Sequence, residues 1–147
     1  MFSTSGYDRL YARSTSGLTK LLCMLFALAG ILCIALSSAP VTNLRGLIYM
    51  CVMACACLSS AFVFACNFCE MHPCSRSRCC NKSTFELYLH LTLTVTCFLA
   101  SSAVLTLALV AYSVAAFFGY LTFCLYALEA WNNFRRYRQR DMSTQTL

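Results

Sequence analysis

Apolar residues dominate this chain in long runs that neither alternate like half-buried strands nor leave the polar stripe of a surface helix. The first run is Leu21 to Leu36 with its flanks, and the second is Leu47 to Cys66. Pro40 and Gly46 punctuate the short connection between them, which predicts a helical hairpin. Polar residues then hold from Asn67 to Thr84, after which apolar character continues from Leu87 to Leu128. A single helix over those 42 residues would be about 63 Å long, twice the ~30 Å hydrocarbon core of a bilayer. Two helices joined by a very tight turn fit that length, and Tyr112-Ser113, the most polar spot near the midpoint, marks the expected turn. The pattern therefore predicts an all-α integral membrane protein, an antiparallel four-helix bundle with short loops. Its spans are expected at about 20–38, 46–66, 86–107 and 112–131, between tails of residues 1–19 and 132–147.

Composition reinforces this reading. Of 147 residues, 60% are hydrophobic and 11% charged, where a soluble domain carries about 25% charged residues to clothe its surface. The first twenty residues are rich in Ser and Thr, carry Asp8, Arg9 and Arg13, and contain no apolar stretch. A cleaved secretory leader is therefore not expected, and insertion falls to the first span.

Charge sets the orientation. Arg9, Arg13 and Lys20 precede the first span, Arg76, Arg78 and Lys82 lie in the second loop, and Arg135, Arg136, Arg138 and Arg140 follow the fourth span. Only Arg45 falls on the other side, so both termini and the second loop are expected in the cytosol. Trp131, Phe134 and Tyr137 form an aromatic cluster where the fourth helix leaves the membrane, as interfacial anchors do. The Ser/Thr-rich stretches Ser14-Thr15-Ser16 and Ser143-Thr144 read as plain disordered termini.

Helices in lipid associate through small residues and hydroxyls. Such positions recur at four-residue spacing as Cys57, Ala61 and Ala65 on the second helix and Thr92, Thr96 and Ala100 on the third. Ala115 and Gly119 open the fourth. These are the expected internal seams. Lys20, Glu86 and Glu129 fall within about a turn of the cytosolic boundary. Snorkelling to water is the first expectation for them, and a rim ion pair the second. His90 stands one turn beyond Glu86 on the same helix face, which predicts a hydrogen bond between the two.

Twelve cysteines are present, and Cys66, Cys69, Cys74, Cys79 and Cys80 crowd the second loop around His72. In the cytosol these thiols stay reduced, and beside a membrane and basic residues they are candidate S-acylation sites. A zinc set of Cys66, Cys69, His72 and Cys74 is the weaker alternative, because no second paired C-x2-C follows. Free structural thiols are the third reading. A lumenal loop would make Asn81-Lys82-Ser83 a usable glycosylation sequon, and the charge count predicts that it is silent.

Five acids, two histidines and no phosphate loop or H-E-x-x-H pattern give no catalytic constellation, so an enzyme is not expected. None of the acids lies at the centre of a span, where a proton-coupled carrier would need one. No cofactor, nucleic acid or small-molecule substrate is expected. The expected partners are membrane lipids, other membrane proteins or further copies of the chain. The C-terminal Thr144-Gln145-Thr146-Leu147 has Gln145 where a carboxylate-binding groove usually reads Ser or Thr, so its signal is weak.

The fourth span, Val114-Ala115-Ala116-Phe117-Phe118-Gly119-Tyr120-Leu121-Thr122-Phe123-Cys124-Leu125-Tyr126-Ala127, runs from small residues through paired aromatics to an apolar stretch and a Tyr. It ends in the basic stop Phe134-Arg135-Arg136-Tyr137. This order resembles the MARVEL domain, the tetraspanning module of the MAL, plasmolipin and chemokine-like-factor groups. The third span is similar to it at Phe98-Leu99-Ala100-Ser101-Ser102-Ala103-Val104, as is Tyr7-Asp8-Arg9 before the first. The resemblance covers about residues 7–138. It implies a non-enzymatic protein that organises membrane domains or vesicle traffic through lateral contacts. An oligomeric pore or small carrier, with His90, Thr92 and Thr96 lining its path, is the second expectation.

Overall fold

A computed structural model describes residues 14–37, 43–68, 76–107 and 109–145, with side chains over 14–37, 43–67, 84–107 and 109–139. Four helices account for nearly all of it: α1 (Thr15–Ala35), α2 (Leu44–Phe68), α3 (Arg76–Leu105) and α4 (Val110–Gln145). Each contains a stretch long and apolar enough to cross a bilayer. The chain is thus a multi-pass membrane protein with the all-α four-helix architecture its apolar runs predict.

Local chemistry sets several helix ends. Ser14 caps α1, its hydroxyl accepting from the Gly17 amide at 3.3 Å. This serine and its neighbours therefore begin a helix, where the composition of the segment suggested disorder. At the far end the Ser37 amide bonds the Ile34 carbonyl at 3.1 Å and closes α1 ahead of Pro40. The turn between α3 and α4 falls between Leu105 and Val110, earlier than the expected Tyr112-Ser113. Thr106 satisfies the Ala103 carbonyl at 2.7 Å, and the Leu107 amide satisfies that of Val104 at 3.1 Å. A threonine that back-bonds its own turn ends α3 without glycine or proline. Tyr112 instead lies inside α4, fully buried against α2 at Gly46. The polar residues after Ala130 continue α4 as helix to Gln145, and Ser143 and Thr144 belong to it.

The helices form a ring in which α1 touches α2 and α4, and α3 touches the same two. Long side chains fill its centre. Gly46, Tyr49, Met53, Ala56, Ser60 and Val63 are the buried positions of α2, at alternating spacings of three and four. This corrects the expected seam: Cys57 and Ala61 sit half-buried at its edge and Ala65 is exposed. The small residues that admit Tyr49 belong to other helices, Gly30 on α1 and Gly119 on α4. On α3 the buried face is His90, Leu93, Cys97, Ala100, Ser101 and Val104, which keeps Ala100 but leaves Thr96 half-buried and Thr92 exposed. Thr92 and Thr96 turn their hydroxyls to their own helix, bonding the carbonyls of Tyr88 and Thr92 at 2.9 Å each. Ala115 and Gly119 are both buried on α4, as expected.

Candidate functional site: a buried polar column across the bundle

The charged residues expected at the rim meet inside the bundle. Lys20 on α1 and Glu129 on α4 are 2% and 6% exposed, and Nζ lies 3.8 Å from Oε1. Ser16, one turn before Lys20, accepts from Nζ at 3.2 Å and donates to Glu129 Oε1 at 3.2 Å. These contacts correct the snorkelling expectation for both residues, because the bundle itself supplies the counter-charge that water would otherwise provide. Glu86, the remaining rim charge, is half-buried.

His90 on α3 completes the group. Its Nε2 stands 3.2 Å from Glu129 Oε2, and the ring is 1% exposed. The expected partner was Glu86, one turn away on the same helix; the acid that reaches the ring comes from α4 instead. Neither ring nitrogen, nor Glu129 Oε2, makes a hydrogen bond of good geometry among the described residues. The His90–Glu129 contact is therefore the least saturated point of the cluster.

The polar contacts continue inward. Tyr126, three residues before Glu129 on the same face of α4, lies beneath His90 with ring centroids 5.8 Å apart and planes at 29°. Its hydroxyl shares a 2.6 Å hydrogen bond with Ser60 and donates to the Ala56 carbonyl at 2.9 Å, both on α2. A polar column thus passes from Ser16 through Lys20, Glu129, His90 and Tyr126 to Ser60, and takes one or more members from each helix. Nearer the other end, Tyr49 donates across the bundle to the Ala115 carbonyl at 2.5 Å. The exposed Arg45 bonds Thr106 at 2.6 Å at that end.

Lys20, Glu129 and His90 stand out in the sequence as ionisable groups, whereas Ser16, Ser60, Tyr49 and Tyr126 do not. The available signal was a tyrosine or serine at heptad spacing within an apolar run, where a polar atom must find an internal partner. A small cleft of about 50 Å³ leads to Glu129 from the helix ends, lined by Thr15, Ser16, Thr19, Asn132, Asn133 and Arg136. It has room for only a few solvent molecules.

Among the described residues no three His, Cys, Asp or Glu side chains converge as metal ligands. Of the zinc set, Cys66 is described and exposed near the end of α2, while Cys69, His72 and Cys74 lie outside the described residues. Cys79 and Cys80 fall on the first turns of α3. Cys23 and Cys97 are buried in the core beside the polar column and act there as small apolar groups.

No protein-family profile, curated protein or solved structure matches the chain.

Proposed function

We propose that this is a non-enzymatic organiser of membrane domains or vesicle membranes, a MARVEL-like tetraspan with both ends in the cytosol, working through lateral contacts with lipids and other membrane proteins. The observation that carries this reading is how the bundle divides its surfaces. Polar side chains are spent inward, in the column from Ser16 to Ser60 and at Tyr49. Outward, Leu25, Leu28 and Leu32 on α1, Leu58 and Phe62 on α2, Leu91 and Val95 on α3, and Val114 and Phe117 on α4 offer apolar side chains to the surroundings. Such a surface is matched to acyl chains and to other apolar helices. Ala115, Ala116 and Gly119, which carry the resemblance to the family, are buried on the packed face of α4. The cytosolic placement of the ends rests on the distribution of Lys and Arg.

The pore reading draws less support. Tyr49, Met53, Cys97 and Tyr126, all fully buried, occupy the centre of a single copy. Thr92 faces away from His90, and Thr92 and Thr96 spend their hydroxyls on their own helix. Solute and ion flux through liposomes carrying the purified chain separates the two. The organiser reading expects background flux, and robust flux abolished by His90→Ala would overturn it.

A further inference from the structure

We infer that the outward face of α4 just beyond the bilayer is a binding site for the headgroup of an anionic phospholipid. The site is built by Trp131, Phe134, Arg135, Arg138 and Gln139, which line a groove of about 270 Å³. Positions 131, 134, 135 and 138 follow the i, i+3, i+4, i+7 spacing that places four side chains on one helix face. All four are exposed, as is most of the helix from 131 to 139, and they lie off the side of α4 that carries the buried Tyr126 and Glu129.

Its chemistry is graded along the helix axis. Trp131, 61% exposed, and Phe134 lie with ring centroids 6.2 Å apart at the end nearer the membrane. Arg135 and Arg138 stand roughly 6 and 10 Å farther along the helix than Trp131. A phospholipid has the same order, with acyl and glycerol carbons below a phosphate. The rings suit the interfacial carbons, and the guanidinium groups suit phosphate or carboxylate oxygens.

The stretch from Ala130 to Gln139 is positively charged. No Asp or Glu occurs from Ala130 to Gln139, and Glu129 is committed to Lys20 and His90 inside the bundle. Beyond this stretch, Asp141 is a single acid against arginines at 135, 136, 138 and 140. Neither Arg135 nor Arg138 has an ion-pair partner among the described residues. A zwitterionic headgroup would leave this cationic field half answered, whereas an anionic one neutralises it. The inference holds whether or not the protein organises membrane domains, because it depends only on the face of α4.

Trp131 is the sole tryptophan of the chain and sits in the site, so its fluorescence reads occupancy directly. The full chain would be reconstituted in phosphatidylcholine vesicles and titrated with phosphatidylserine or phosphatidylcholine carrying brominated acyl chains, which quench nearby indole. Brominated phosphatidylserine is expected to quench at a lower mole fraction than brominated phosphatidylcholine, with the difference shrinking as salt is raised. Each arginine near an anionic surface is worth about fivefold in affinity, so Arg135→Gln with Arg138→Gln should lower the preference about thirtyfold or abolish it. Arg45→Gln removes one charge at the opposite end and should leave it within about twofold. Circular dichroism of the double variant should show unchanged helicity, since both arginines are exposed. Equal quenching by the two lipids, or a preference that survives the double substitution, would overturn the inference.

Discussion

Lys20 on the first helix and Glu129 on the last lie 3.8 Å apart, both almost fully buried, so that the start and end of the four-helix region are joined by charge. Removing one member of such a pair strands the other charge in a low-dielectric interior. Glu129→Gln should therefore destabilise the bundle by about 3 kcal/mol or more, read as the shift in an SDS-unfolding curve of the reconstituted protein. Lys20→Met in the same chain should restore most of that loss, because no unpaired charge then remains. A double variant no more stable than Glu129→Gln alone would show that the two residues do not act as a pair.

The two central tyrosines make different uses of size and polarity. Tyr49→Phe deletes only the hydrogen bond to the Ala115 carbonyl and should cost about 1 kcal/mol. Tyr49→Ala also empties the space between Gly30 and Gly119, and the cavity should raise the cost to about 3–5 kcal/mol. Equal losses in the two variants, measured by the same unfolding curves, would place the hydroxyl rather than the ring at the root of the contact.

Gly119 on α4 packs against Ser101 of α3 and Tyr49 of α2. A Cβ there would collide with the Ser101 hydroxyl and stand 3.1 Å from the Tyr49 ring. Gly119→Val should destabilise by about 2 kcal/mol, within the range for overpacking a filled core. Gly119→Ala should cost less, and Ser101→Ala should rescue part of it by removing the first clashing atom. Rescue by a remote alanine substitution instead would contradict the contact.

The cysteines divide by access. Cys66 is exposed near the membrane-proximal end of α2, whereas Cys23 and Cys97 are fully buried. A water-soluble maleimide should label Cys66 within minutes in detergent and reach Cys23 and Cys97 only after denaturation. In cells, hydroxylamine-sensitive acyl labelling should vanish when Cys66, Cys69, Cys74, Cys79 and Cys80 become Ser. Labelling that persists in that variant would place acylation outside these five cysteines.

The sequence made the helices legible because each span must satisfy its backbone internally and so declares itself as a long apolar run. It was less informative about which face turns inward. Small residues at Cys57, Ala61 and Ala65 suggest the seam of α2, yet the seam lies at Tyr49, Met53 and Ala56, and Tyr49 packs inward where Gly30 and Gly119 leave it room. Tyr112 looked like a turn by polarity alone, whereas its ring is buried beside Gly46, contributed by a helix far away in sequence. The His90 partner was misjudged for the same reason. Glu86 is adjacent by helical spacing, but the acid in contact is 39 positions away on α4, and spacing within one helix carries no information about the next.

The proposed topology is a four-span bundle whose two ends and cysteine-bearing connection lie together in the cytosol. A glycosylation scan in microsomes tests it most directly, using the natural Asn81-Lys82-Ser83 sequon, acceptor tags at each end, and an acceptor loop inserted between Leu105 and Val110. The inserted loop is expected to be glycosylated, while Asn81 and both end tags are not. Glycan on Asn81, or on one end but not the other, would contradict it.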